Sequence, residues 1–197
     1  MTFASRLGGW LFRQRTWLPL PLAAALLLIP PESDALDPSL WIMGALIVAI
    51  GEAIRLWAVH HIGAISRTRS DRLGPLVSSG PFAVVRNPLY VGNILLWAGF
   101  AISANLVWLA PVAIVLLALE YHAIVRWEEG LLAERIGDPY TEYVARVPRW
   151  VPSLTSGTKP ATSAAAAFSW RDTLFSERGT LIAIGVGFLL LWLKARF

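Results

Sequence analysis

Residues 87–125 read NPLYVGNILLWAGFAISANLVWLAPVAIVLLALEYHAIV. The stretch holds two apolar runs, 89–104 and 106–125, joined by Ser103-Ala104-Asn105. About 20 apolar residues in a helix cross the hydrocarbon core of a bilayer. Asn87 has the chemistry of a helix N-cap and Pro88 suits the first helical position, where a missing N–H costs nothing. The spacing therefore predicts an antiparallel pair of membrane helices with a tight turn between them. The charges inside this pair are few, and Glu120 is the deepest of them.

Outward from this hairpin, further apolar runs occupy 17–29, 40–59 and 180–193. The second is a clear span; the first is short and broken by Pro19 and Pro21, and the last is short and rich in glycine. Composition agrees with a lipid environment: 56% of residues are hydrophobic and 15% charged, against roughly 45–50% and about 25% in a soluble domain. The apolar fraction excludes a disordered chain. The absence of cysteine excludes a disulfide scaffold, thiol nucleophiles and thiolate metal sites. The net charge of +4 comes without a dense Lys/Arg run, so a nucleic-acid partner is not expected.

Basic residues fall into alternate connections. Arg6, Arg13 and Arg15 precede the first run. Arg67, Arg69, Arg72 and Arg86 lie between the second and third runs, and a longer set from Arg126 to Arg178 follows the fourth. The connection holding Glu32, Asp34 and Asp37 has none. The positive-inside rule then places the N-terminus and the basic segments in the cytoplasm, with Lys194 and Arg196 as a mild exception. A signal peptide is a rival for the N-terminus, with Ser33-Asp34-Ala35 as a cleavage-like site, but two prolines and three nearby acids argue against it. Residues 153–169 have a linker composition. The expected division is a core of 1–152 with four spans, a linker of 153–178 and one more membrane helix over 179–197.

Two polar segments are too long to be simple connectors. Residues 64–87 read AISRTRSDRLGPLVSSGPFAVVRN, and 126–152 read RWEEGLLAERIGDPYTEYVARVPRWVP. In the second, Gly137 ends one short helix, Asp138-Pro139 opens another, and Pro148 stops it. Leu131, Leu132 and Ile136 give the first of these helices an apolar face, which suits it to lie on the membrane surface or on the other segment. Both segments belong to the cytoplasmic side, so they are placed to meet over the inner ends of the third and fourth spans.

These segments carry a resemblance. Leu76-Val77-Ser78-Ser79-Gly80-Pro81-Phe82, then Val85-Arg86-Asn87-Pro88-Leu89-Tyr90-Val91-Gly92, is similar to the isoprenylcysteine carboxyl methyltransferase family. So is Arg126-x-Glu128-Glu129-x-x-Leu132, followed by Gly137-x-x-Tyr140-x-x-Tyr143 and Val147-Pro148. Phospholipid N-methyltransferases share much of the pattern, and Gly51-x-x-x-Arg55 resembles the family's preceding helix. The family usually has His at the position of Asn87 and often Tyr at that of Phe82.

The resemblance implies an integral membrane methyltransferase that uses S-adenosylmethionine at the cytoplasmic face, with a lipophilic small-molecule acceptor. It implies cofactor binding by Thr68, Pro75, Leu76, Val77, Ser78, Phe82, Asn87, Pro88, Leu89, Tyr90 and Glu128. Arg126 and Glu129 are the expected catalytic residues. A helix N-terminus with Pro88 first leaves the N–H groups of Leu89 and Tyr90 for the methionyl carboxylate. Phe82 and Tyr90 suit the adenine, and Glu128 the ribose hydroxyls or the amino group.

Methyl transfer from a sulfonium is an in-line displacement, so positioning and exclusion of water dominate. A carboxylate acceptor needs a cation such as Arg126 to orient it. An amine or thiol acceptor must lose a proton, which gives Glu129 or His122 a base role. His122, Arg126 and Glu129 share one helical face, and Glu128 lies about 100° away. Each residue also has a structural reading: Asn87-Pro88 starts a helix whatever binds there, and a Glu pair after a span is ordinarily solvated. Glu52, Arg55 and Glu120 read as ion pairing inside the membrane, with Arg55 the expected partner of both acids. His60 and His61 lack a matching ligand cluster and read as interfacial; no metal site is expected.

The expected fold is all-α, a polytopic bundle of about five membrane helices with cytoplasmic loops and short helices that bind the cofactor. Two other functions stay open. A sterol-type reductase using NADPH has a similar Arg86-x-Pro88-x-Tyr90 loop, although Asn93 stands where that family tends to carry an acid. A non-catalytic membrane scaffold is the third.

Overall fold

The computed structural model describes residues 3–31, 37–63, 76–153 and 169–196. Among them are seven α-helices and a short 3-10 turn, and no strand: α1 (Phe3–Gln14), α2 (Leu20–Leu28), α3 (Pro38–Ile62), the turn at Gly80–Ala83, α4 (Pro88–Ser103), α5 (Leu109–Ile136), α6 (Asp138–Arg146) and α7 (Trp170–Lys194). The fold is all-α, and α3, α5 and α7 are long and apolar enough to cross a membrane, with α4 a shorter apolar helix. The first apolar run yields only the nine residues of α2, about 14 Å of rise, which is short of the roughly 30 Å hydrocarbon core. Prolines 19 and 21 hold its start back to Leu20, and Thr16 to Pro19 form turns.

Helix ends follow local chemistry. Asp37 caps α3 by accepting from the Ser39 N–H at 2.8 Å, with Pro38 next, and Gly63 closes the helix at φ 67°. Hydrogen bonding to Ser39 lowers the Asp37 pKa below the ordinary carboxylate value. The α4–α5 turn puts Asn105 at φ 56°, a left-handed geometry that Asn tolerates better than most residues, so the predicted hairpin forms. Gly137, at φ 70°, ends α5. The fourth span and the expected short surface helix are instead one continuous helix, because neither proline nor a helix-stop lies between Pro111 and Gly137. Gly130 sits on its open side, with nothing within 4 Å of an added Cβ.

The bundle centres on α3 and α4, which run antiparallel and approach through glycines spaced seven apart on each helix. A Cβ on Gly51 would lie 2.8 Å from the Gly92 carbonyl oxygen, and one on Gly99 would lie 2.7 Å from the Gly44 carbonyl oxygen. Small residues let membrane helices pack backbone to backbone, where van der Waals contact replaces the hydrophobic drive. α5 packs on α4, and α1 lies along α5. The main buried cluster here is Phe12, Leu22, Ala113, Leu117, Tyr121 and Ile124.

α7 begins at Trp170, capped by the Ser169 hydroxyl accepting from the Asp172 N–H at 3.1 Å. Residues 170–178, which the apolar pattern alone assigns to the linker, are therefore helical. Thr173 and Glu177 are buried against α3 while Arg171, Asp172 and Arg178 are exposed: His60 Nδ1 and the Thr173 hydroxyl are 3.3 Å apart, Trp170 stacks on His60 at 4.3 Å between ring centroids, and Glu177 Oε2 lies 2.5 Å from Arg55 Nη2. Arg55 Nε also reaches Glu52 Oε2 at 3.2 Å, and Nη1 donates to Asn93 Oδ1. Arg55 thus pairs with Glu52 as expected, but its second acid is Glu177 and not Glu120. Glu120 Oε1 is buried without a hydrogen-bond partner among the described residues. At the other end, the Lys194 ammonium donates to the carbonyls of Leu26 and Ile29 at 2.6 and 2.5 Å. Those are last-turn carbonyls of α2 without helical partners, so the exception in the charge pattern is a local cap.

Candidate functional site

The two polar segments meet over the ends of α4 and α5. The Tyr143 hydroxyl donates to the Phe82 carbonyl at 2.8 Å. The Arg86 N–H donates to the Pro148 carbonyl at 2.9 Å, and the Ser153 N–H to the Val84 carbonyl at 3.0 Å. Burial pushes the Tyr143 phenol well above its ordinary pKa, which keeps it a neutral donor. Tyr140, Tyr143 and Val147 form a small buried cluster against Leu76, Leu132 and Ile136, so the apolar face at the end of α5 packs on α6 and the first segment.

Glu129 fastens this arrangement. Arg149 takes it in bidentate fashion, Nε to Oε1 at 3.0 Å and Nη2 to Oε2 at 2.6 Å. The hydrogen bond to Glu129 raises the Arg149 pKa still further. Arg86 Nη1 adds a charge contact at 2.9 Å to Oε1, although its N–H directions are not aligned for a hydrogen bond. Glu129 therefore sits between two guanidinium groups, one from each polar segment.

Glu128 turns to a different partner, as its place on the helix requires. The Tyr90 hydroxyl donates to Glu128 Oε2 at 3.0 Å, and the Tyr90 ring stacks on Tyr121 at 4.6 Å. The structure thus brings Tyr90 and Glu128 together from separate motifs. Asn87 heads α4 as expected, but its side chain makes no capping bond. Its Nδ2 donates to the Arg149 carbonyl at 3.1 Å, tying the helix start to the second segment. The amides of Leu89 and Tyr90 are left without a cap from the N-cap side chain.

Pro88 is fully buried beneath this helix start. Phe82 and Val77 are buried together with Ala58, with Leu89 packed against them, so Phe82 is a packing residue in this arrangement. Ser78 is half-buried. Thr68 and Pro75 lie outside the described residues. Arg126 is exposed, one turn from His122, which is half-buried.

His122 lines a groove of about 420 Å³ between α4 and α5, together with Val91, Ile94, Leu95, Leu119 and Trp150. Ile94 and Trp150 also pack on the cluster that holds Tyr121, as does Tyr90. The groove and the Tyr90–Glu128 pair therefore share a wall. Among the described residues no group of three or more His, Asp or Glu side chains is arranged to hold a metal.

Sequence reasoning missed Arg86, Arg149, Trp150 and Arg15. The first three stand within or beside the quoted motifs, where an arginine flanking a capping Asn and another after Val147-Pro148 was a usable signal. Arg15 gave no signal, because it comes from the N-terminal segment. Its guanidinium lies over the Phe12 ring at 4.0 Å, and Phe12 belongs to the buried cluster on which Tyr90 packs.

Comparison with known proteins agrees with this geometry. The profile of the phospholipid methyltransferase family matches residues 40–138, which run from α3 to the start of α6. The chain is 31% identical over 119 residues to the cobalt-zinc-cadmium resistance protein CzcN of Cupriavidus metallidurans, covering 60% of this chain and 52% of that protein. It is 29% identical over 159 residues to the nickel-cobalt-cadmium resistance protein NccN of Alcaligenes xylosoxydans xylosoxydans, covering 77% of this chain and 70% of that protein. The chain thus spans about half the length of the first relative. No solved structure matches it at a significant level. With the profile covering half of the chain and both motif blocks folded onto each other, this membrane protein belongs to the phospholipid methyltransferase family.

Proposed function

We propose that the protein transfers a methyl group from S-adenosylmethionine to a lipophilic acceptor that enters from the bilayer. The observation that carries the reading is the Tyr90–Glu128 pair beside an apolar groove containing His122, in a chain of this family. The residues present fit the cofactor. The methionyl end of S-adenosylmethionine is a zwitterion next to a sulfonium, and Glu128 offers a carboxylate to its cations. The uncapped amides of Leu89 and Tyr90 suit its carboxylate. The backbone of 76–78 borders the same helix start and suits the adenine. When bound, the cofactor supplies an electrophilic methyl.

This chain's own residues then position and exclude water. The α4–α5 groove holds the apolar part of the acceptor, and Arg126, exposed on α5 one turn beyond His122, orients an anionic group on it. Where the acceptor atom carries a proton, His122 is the base in the groove, since Glu129 is committed to Arg86 and Arg149. Glu129 is in this reading a positioning residue, which keeps Asn87 and the α4 start against the second segment. The cytoplasm is the side on which cofactor enters, in keeping with the basic connections.

The test is calorimetric titration of the purified protein with S-adenosylhomocysteine and with NADPH. Binding of the first and not the second is expected; binding of NADPH alone would favour the reductase, and binding of neither a scaffold. Transfer of labelled methyl into a total lipid extract then identifies the acceptor. The names of the two relatives favour a second, physiological reading, that the methylated product serves metal resistance. Growth of a deletion strain in cobalt, nickel or cadmium, complemented by the wild type but not by Glu128→Gln, is the outcome that reading requires.

A further inference from the structure

His61 stands in the last turn of α3, where a side-chain donor reaches a carbonyl one turn back. Its Nδ1 lies 2.9 Å from the Trp57 carbonyl oxygen. A carbonyl only accepts, so Nδ1 carries the proton of that bond. The bond fixes the direction of the ring. Two edge-on neighbours hold it further, the Trp57 ring at 6.3 Å and the His60 ring at 5.4 Å between centroids.

The far edge of the ring meets the 3-10 turn Gly80–Ala83. A Cβ on Gly80 would lie 2.4 Å from His61 Nε2 and 2.5 Å from both Cδ2 and Cε1. The imidazole edge therefore fills the space a side chain would take and rests on bare backbone. Gly80 is at φ 57°, which glycine adopts without strain. The contacts beside this one are apolar: Val77 and Phe82 are buried with Ala58, and Ile62 packs on them. Ala58, His61 and Ile62 share one helical face by their spacing. Together they form the seat at the end of α3 on which residues 77–82 rest, and the His61 ring sets how closely the turn approaches the helix.

We propose that His61 is a positioning residue for recognition of the cofactor's base. Its ring fixes the height of the Gly80 turn on α3, and with it the register of the 76–78 backbone against the adenine. The assignment rests on the cofactor reading above. A purine is told from its analogues by hydrogen bonds along the base edge, and a donor or acceptor left without its partner is costly. Backbone groups can discriminate in this way only when they are held in place. The imidazole acts through the turn, as a spacer whose own direction is tied to the Trp57 carbonyl.

The test compares two ligands that differ only at the base, S-adenosylhomocysteine and S-inosylhomocysteine, titrated into the full chain. Wild type should prefer the first by about tenfold, the worth of one hydrogen bond at the base edge. In His61→Ala that preference should shrink to about twofold or less, with the adenine ligand taking the loss. His61→Phe, which puts a ring edge back over Gly80, should restore part of it. Gly80→Ala reaches the same contact from the turn: it should reduce the preference in the wild-type background and do less on top of His61→Ala. The backbone strain of the alanine is common to both backgrounds and cancels in the cycle. Equal weakening of both ligands in His61→Ala would mean that the residue only supports the fold, and would overturn the assignment. So would unchanged affinities, or a wild type that does not distinguish the two bases. If His61→Ala does not fold, Gly80→Ala alone decides, and a preference unchanged in it overturns the assignment. Wild-type protein that binds neither ligand would sink the cofactor reading itself, an outcome distinct from all of these.

Discussion

Glu128 and Glu129 are chain neighbours with unlike duties, and the difference is a matter of direction. A step of one residue turns about 100° round a helix, which aims Glu129 at Arg86 and Arg149 and Glu128 at the Tyr90 hydroxyl. Glu128→Gln should raise the cofactor's dissociation constant by the worth of a charge-assisted hydrogen bond, about 1.5–3 kcal/mol, and titration calorimetry reads this directly. Arg126→Lys should leave that constant nearly unchanged and slow methyl transfer, because a point charge does not reproduce the planar fork. Both quantities are to be measured on the same preparations. If Arg126→Lys weakens cofactor binding and Glu128→Gln does not, the two roles are exchanged. Asn87→Ala removes the bond to the Arg149 carbonyl and should weaken cofactor binding while the protein stays folded; unchanged affinity would show that this tie is dispensable.

Helix pairs are held in two different ways. α3 and α4 meet through Gly51, Gly92, Gly44 and Gly99, so any side chain there forces the helices apart. Gly92→Leu should lower the unfolding midpoint in detergent, at a cost of at least about 1–3 kcal/mol from overpacking. Gly130→Ala, where an added Cβ has open space, is the control and should be neutral or slightly stabilising. α7 packs through Phe188 on Trp41 and Phe100 and adds polar links to α3. Glu177→Gln leaves Arg55 with Glu52 as its remaining acid in that network and should cost roughly 1–3 kcal/mol, seen as a lower thermal midpoint. Truncation at Thr155 should lower the midpoint as well yet retain cofactor binding, since the Tyr90–Glu128 site lies on α4 and α5. A truncated protein that is monodisperse but does not bind would make α7 part of the site.

At the scale of the molecule, four apolar helices carry a polar cap built from two segments far apart in the chain. Positive charge on that cap predicts its side of the membrane. The lack of native cysteine makes the orientation simple to measure. Glu142→Cys on α6 and Val107→Cys in the α4–α5 turn place single exposed thiols at opposite ends of the bundle. In intact cells a membrane-impermeant maleimide should label Val107→Cys and spare Glu142→Cys until the cells are opened. The reverse pattern would turn the protein over, and with it the side from which the cofactor arrives.

The helical character, the α4–α5 hairpin, the stop at Gly137 and the meeting of the two polar segments were all legible in the amino-acid order. The first three rest on chemistry within a few positions: apolar runs of membrane length, proline at first turns, an Asn or Gly where φ turns positive; the last rests on both segments falling at the same end of the spans. The partners of Glu129 and Asn87, and the second acid of Arg55, were not legible. Local rules put Asn87 to work as a cap and paired Arg55 with Glu120, whereas the folded chain gives Asn87 a carbonyl of residue 149 and Arg55 an acid of residue 177. The place of Arg15 over Phe12 was settled in the same way, by glycines that let α1 close on α5. Which helices become neighbours, and how each is rotated, is settled by packing across the bundle, and only that rotation decides which charge a long side chain finds.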